Sequence, residues 1–331
     1  MTTAHGSRKD LISELETARN SRVICYFTGD RKNQEVQIGD DALPVMAQHL
    51  SDIGKVPKLD LLIYSRGGST LTGFALVNAL REFGNVVDVL VPFRAFSCAT
   101  LISLGANHIV AGPFASLSPI DPTIATPHSP TIEQAGQLQF LPVSVEDVAN
   151  YFELARKEAG LKEEQYLSEV FSHLTQRVSP IALGAVYRAR EQIGMLASKL
   201  LSLHMTDKEG AARIIQQLTR ELLSHDYVIS RREAVSLGLP VVDATTQEAS
   251  LMWGIYEDIA RELTLGEPWN WEKEAQATQP RTATRAVIES RNLEHIFTSI
   301  YQIKRVGPGG GKVKPETLQI TPLDEGSWKK V

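Results

Sequence analysis

Four apolar runs alternate with helix-forming segments between Arg22 and Ala111, and this alternation restricts the fold to a mostly parallel sheet covered by helices. The runs are RVICYFT (22–28), DLLIY (60–64), VVDVLV (86–91) and HIVA (108–111). Each is apolar almost throughout, as a strand buried on both faces requires; a half-exposed strand would alternate. Between them lie segments with helical character. The spacing predicts a helix over 8–19, with Leu11, Ile12 and Leu15 on one face, and further helices over 41–53, 70–83 and 97–105.

The rhythm breaks at residues 113–143, where Pro113, Pro119, Pro122, Pro127, Pro130 and Pro142 predict an extended loop. From Ser144 to Leu223 the pattern is helical. Ser144 is a capped start, Ser179-Pro180 opens a second helix with proline near its first position, and Ile193, Leu196, Leu200 and Leu201 form its inward side. Residues 225–243 read as a turn, a short helix and a strand. The polar segment 266–280 reads as a surface connection, with Trp269 and Trp271 as packing residues. TRAVIESR (284–291), IFTSIYQIKRV (296–306) and KVKPETLQITPL (312–323) alternate as antiparallel strands do, with GPGGG (307–311) as a turn. The expected division is a main domain over 1–245 and a helix-plus-strand extension over 246–331.

Composition narrows the function. Of 331 residues 43% are hydrophobic, enough for a large core, and the net charge of -5 supplies no basic field for nucleic acid. Two cysteines, Cys25 and Cys98, cannot build a disulfide framework. The N-terminal segment is polar, without the apolar stretch of a signal peptide, and no uncharged apolar run reaches the length of a membrane span. The expectation is a cytoplasmic protein. No GxGxxG loop follows a strand, so a nicotinamide cofactor is not indicated, and no His/Cys/Asp cluster has metal-ligand spacing; the expected cofactor set is none.

Two features carry chemistry. Gly67-Gly68 follows one strand directly, where glycine permits a sharp turn and close approach of backbone N–H groups to a developing oxyanion. Ser97 follows another strand at the mouth of an apolar helix, where orphan N–H groups and the helix dipole favour negative charge. Each has a bland counterpart: the glycines as a tight turn, the serine as a helix cap. The two together, one strand–helix unit apart, point to acyl transfer.

SRGG (65–68), AFSCATLISLGANHIV (95–110), GPFASLSPIDP (112–122) and SHDYVISRREAVSLGLPV (224–241), in this order and spacing, resemble the Clp-protease/crotonase superfamily. Within it the chain is similar to the serine dehydrogenase proteinase family, relatives of signal peptide peptidase A. The resemblance spans roughly residues 20–245 and implies a ClpP/crotonase-like spiral core of mostly parallel strands, here with a helical segment and a small β-rich C-terminal tail. It implies that Ser97 is the nucleophile of a serine peptidase. The oxyanion hole is implied to come from N–H groups at Gly67, Gly68 and Cys98. A homo-oligomer, a peptide or protein substrate and a regulatory or unfoldase partner are expected by analogy.

The chain departs from the family in three places. Arg66 stands where a proline usually precedes the glycines, SPIDP occupies the region of the Clp-type histidine, and the aspartate position falls near Leu222. The general base is therefore open between Lys157 and His225. Signal peptide peptidases use a lysine, which serves only if burial lowers its pKa; histidine needs no such shift. Against these stand a solvated surface lysine in the charged ELARKEAGLKEE and a capping or packing histidine. Asp121 is an orienting carboxylate or a loop-capping residue. Two other functions compete. A crotonase-like enzyme acting on acyl-coenzyme A thioesters would want carboxylates in the helix after the glycines, which STLTGFALVNAL lacks. A degenerate scaffold or partner-binding member would retain the fold without the reactive serine.

Overall fold

A computed structural model of the chain describes residues 4–120, 123–134, 137–222, 224, 226–306 and 317–331. They form two compact units, Met1–Leu117 with Ile229–Val331, and Ser118–Val228. The first unit opens with helix α1 (Ala4–Arg19), strand β1 (Arg22–Thr28), α2 (Ala42–Ile53), β2 (Val56–Tyr64), α3 (Thr70–Phe83) and β3 (Gly84–Val91). The short β4 (Arg94–Ala95), α4 (Cys98–Leu104), β5 (Ile109–Ala111) and β6 (Ser116–Leu117) follow. Each strand and helix predicted up to Ala111 is present. β2 starts earlier than its apolar run because Val56 and Lys58 still pair with Gly84 and Val86 of β3, although their side chains are only partly buried.

In the second unit the proline-rich stretch is not a plain loop. It contains β7 (Thr123–Ile124), β8 (Thr131–Gln134), β9 (Gln137–Phe140) and β10 (Val143–Ser144). β8 and β9 form an antiparallel pair, as do β7 and β10. Pro130 and Pro142 stand just outside these strands, where the missing N–H removes no ladder bond. Helix α5 (Val145–Glu153) is capped by the Ser144 hydroxyl, which accepts from Asp147 N at 3.1 Å, and passes into a π-helical turn over Leu154–Glu158. α6 (Glu164–Arg177), α7 (Pro180–Leu201) and α8 (Lys208–Gln216) complete the unit. The inward side expected for α7 is buried at Ile193, Leu196, Leu200 and Leu201.

The chain then returns to the first unit with β11 (Ile229–Ser230), α9 (Arg231–Ser236), β12 (Val241–Asp243), α10 (Thr246–Glu262) and α11 (Trp271–Glu274). Three long strands end it: β13 (Arg281–Ser290), β14 (Glu294–Val306) and β15 (Thr317–Lys330). They join the main sheet, whose order is β12-β5-β3-β2-β1-β13-β14-β15. Pairing is parallel from β12 to β1 and antiparallel from β1 to β15. The fold is mixed α/β around a large, mostly parallel sheet.

Strand alternation divides the core. Val23, Cys25 and Phe27 of β1 pack with Ile12 and Leu15 of α1 and with Leu251, Met252, Ile255 and Ile259 of α10. The alternate residues Ile24 and Tyr26 are equally buried, on the opposite face of the strand. Trp269 is buried, and it and Trp271 pack against Tyr301 of β14 at 6.2 and 5.1 Å between ring centroids. Among the described residues no helix is long and apolar enough to cross a membrane.

Candidate active site

Sheet pairing brings the glycine pair and the serine together. β2 runs into Ser65-Arg66-Gly67-Gly68 before α3, and β3 runs through β4 into Phe96-Ser97 before α4. The two connections bond to each other: Ser65 N donates to Arg94 O at 3.1 Å, and Phe96 N donates to Ser65 O at 3.0 Å. This parallel bridge between Ser65 and Ala95 presses Gly67 against Ser97. A Cβ added to Gly67 would lie 2.7 Å from Ser97 Cβ and 3.1 Å from its Oγ, so only glycine fits.

Both glycines have the left-handed φ values that side chains resist, 120° at Gly67 and 148° at Gly68. Ile38 N donates to Gly67 O, and Ser69 N donates to Ile38 O, both at 2.9 Å, while a side chain on Gly68 would run into the Ile38 backbone. Those bonds leave the Gly68 N–H unused. Among the described residues neither the Gly68 N–H nor the Cys98 N–H donates to an acceptor, so both are available to a developing oxyanion.

Ser97 sits on a strained strand-to-helix turn, with φ 52° and ψ −111°, a conformation sparsely populated by any non-glycine residue. It occupies the N-cap position of α4, yet its side chain makes no capping hydrogen bond. Strain of this kind at a serine between strand and helix is the geometry that lifts a nucleophile out of its surroundings. Ser97 is half-buried, and α4 behind it is buried at every residue.

Residues that the sequence did not single out hold this arrangement. The Ser65 hydroxyl accepts from Thr28 Oγ1 at 2.7 Å and from Gly67 N at 3.0 Å. Asp30, just beyond β1, accepts from Tyr64 Oη at 2.8 Å and from Arg94 Nη1 at 3.1 Å, and lies 4.0 Å from Arg66 Nε. Burial, then the neighbouring Asp30 charge, pushes the Tyr64 phenol above its ordinary pKa, so it stays a neutral donor. Arg66, in place of the usual proline, points its side chain 55% into solvent and leaves the glycine conformations to the loop itself. No local pattern marks Thr28 or Asp30, because their importance comes from strand neighbours distant in sequence, whereas Ser65 opens the SRGG motif and bonds Gly67 two residues on.

Cys98 is not a second nucleophile. Burial pushes its thiol up to about 12, and Sγ donates to Ser69 O at 3.1 Å while packing beneath Gly73 of α3. Of the other candidates, Lys157 belongs to the second unit, on the π-helical turn. Its side chain is 74% exposed and pairs with Glu153 at 2.9 Å, an environment unlike the apolar enclosure that a lysine base needs. His225 and Asp121 lie outside the described residues.

The sheet thus sets a strained serine against the glycine pair, beside the unused N–H groups of Gly68 and Cys98. Residues 1–147 match the family model of ClpP-like SDH-type serine proteinases, the family that the motifs resemble. An uncharacterized protein of Methanocaldococcus jannaschii is 26% identical over 267 residues, covering 77% of this chain and 80% of the relative. A second uncharacterized protein of that organism is 30% identical over 121 residues, 34% of this chain and 41% of the relative.

Proposed function

We propose that the chain is a serine peptidase acting through an acyl-enzyme on Ser97. The observation that carries this reading is the contact of Gly67 with Ser97, which sets a reactive hydroxyl beside unused N–H groups. In the proposed reaction Ser97 Oγ bonds to the carbonyl carbon of a peptide, and its proton passes to a base and then to the leaving amine nitrogen as the C–N bond breaks. The oxyanion is held by the Gly68 N–H of the Gly67–Gly68 loop and by the Cys98 N–H, the Gly67 N–H being engaged by Ser65 Oγ rather than available as the sequence suggested. Water then attacks the ester, releasing the acid and restoring the serine hydroxyl.

The base is Lys157 or His225, with Asp121 as an orienting carboxylate. The reading includes a spiral ClpP-like core, a homo-oligomer in the cytoplasm, residues 1–245 as the chemical part and residues 246–331 as an assembly extension. The absence of acidic residues in the first turn of α3 gives no support to crotonase-type chemistry.

Fluorophosphonate labelling, with the adduct located by mass spectrometry, tests the reading. Wild-type protein should carry the adduct on Ser97, and Ser97→Ala should carry none while keeping its thermal transition. Lys157→Ala and His225→Ala then identify the base, since loss of the base should slow labelling by about 100-fold or more. A folded, assembled wild type without any adduct would move the reading to a scaffold.

A further inference from the structure

We infer that Ser65, braced by Thr28, is a positioning residue that fixes the peptide between Gly67 and Gly68 and thereby the reactivity of Ser97, an inference that rests on Ser97 being the nucleophile. Two glycines in succession have no steric preference strong enough to hold one orientation of the peptide between them. Bonds from outside the pair must select it: Ile38 N holds the Gly67 carbonyl at 2.9 Å, and Ser65 holds both polar groups of Gly67. The Ser65 hydroxyl accepts from Gly67 N at 3.0 Å and donates to Gly67 O at 3.3 Å, gripping that residue by both of its polar groups. Its remaining lone pair accepts from Thr28 Oγ1 at 2.7 Å. One hydrogen and two lone pairs are all that a hydroxyl has, so its capacity is filled.

Ser65 and Thr28 are each 1% exposed, so water cannot take the place of either partner. The backbone of Ser65 serves the other half of the site. Its N–H donates to Arg94 O and its carbonyl accepts from Phe96 N, on either side of Ala95 and directly before Ser97. Ser65 therefore bonds both to the loop that offers the oxyanion N–H and to the strand that presents the nucleophile. An alanine would pack in the same space and preserve the backbone bonds, but would remove both hydroxyl bonds to Gly67 and leave its carbonyl held by Ile38 N alone.

The test is fluorophosphonate labelling of the purified full chain, with the maximal rate kinact and the affinity KI measured separately beside the thermal transition. Ser65→Ala should lower kinact by about 10- to 100-fold, the scale of a small misplacement of reacting groups, with KI unchanged. Thr28→Val, nearly isosteric, should lower kinact by less, because it removes only the brace. A folded Ser65→Ala protein with wild-type kinact would overturn the inference, and a lower transition temperature beside it would mark a merely structural serine. Should Ser65→Ala fail to fold, Thr28→Val decides by the same comparison. Absence of label on wild-type Ser97 would remove the nucleophile assignment and the inference with it, and is recognisable because it shows without any substitution.

Discussion

Gly67 has no room for a side chain, and the atom that excludes one is Ser97 Cβ at 2.7 Å from where its own Cβ would be. Gly67→Ala must move either the loop or the serine and must also adopt a φ of 120°, strain on the order of 1–3 kcal/mol for a non-glycine residue. The expected outcome is loss of Ser97 labelling by about 100-fold, with a lowered thermal transition. Gly68→Ala should fail for a different reason, collision with the Ile38 backbone, and should destabilise without reaching the serine directly. Labelling rate and melting temperature, measured on both variants, separate the two effects.

Elements are held by buried polar groups as well as by the apolar core. Arg8 of α1 is fully buried and bonds to Glu289 of β13 and Glu294 of β14, each at 2.6 Å, and to Asp258 and Glu262 of α10 at 3.0 and 2.6 Å. Arg8→Met roughly keeps the volume and removes the guanidinium that bonds the buried Glu289 and Glu294. The expected loss is about 3–5 kcal/mol, read from the midpoint of urea unfolding.

A second polar link joins α2 to the C-terminal strands. His49 contacts Ser290 Oγ at 2.8 Å through Nδ1 and His295 Nδ1 at 3.0 Å through Nε2. Burial, then the neighbouring His295, lowers the His49 pKa from 6.5 to about 4, with Lys330 acting in the same direction and Asp52 against it. Between these two values the unfolded chain binds the proton that the folded chain refuses, so stability is complete above pH 6.5 and falls towards pH 4. The loss attributable to this group is on the order of 3 kcal/mol. His49→Gln should flatten the pH dependence of the urea midpoint over that window; an unchanged slope would refute the assignment.

For the whole molecule, the C-terminal segment is continuous with the sheet that carries the site. α10 supplies Leu251, Met252, Ile255 and Ile259 to the core under β1, and β13 pairs with β1 along Ile24–Thr28. Removal of residues 246–331 should therefore expose that core and abolish cooperative unfolding, a loss that near-ultraviolet circular dichroism and limited proteolysis would detect. Removal of β15 alone, residues 317–331, leaves the β1–β13–β14 pairing in place and should preserve folding. The mass of that shorter protein then tests whether the outer strand contributes to the proposed assembly.

The elements around the site were legible in the sequence because their signals are local. A strand buried on both faces must be apolar throughout, and a helix that covers it must repeat its apolar residues at helical spacing; RVICYFT and TLTGFALVNALREF satisfy these demands without reference to the rest of the chain. Gly67, Gly68 and Ser97 were likewise marked by their positions directly after strands. The short strands after residue 120 left no clear signal because Pro122, Pro127, Pro130 and Pro142 dominate the composition there, while pairing needs only the few residues between them. Only the tertiary structure decided that β13 pairs with β1, since an edge accepts whichever strand the chain can deliver. It also decided that Thr28 braces Ser65 beneath the glycine loop and that Asp30 joins Tyr64 to Arg94. Parallel strands end side by side whatever their separation in sequence, so the residues just past their ends become neighbours through a geometry that no local pattern records.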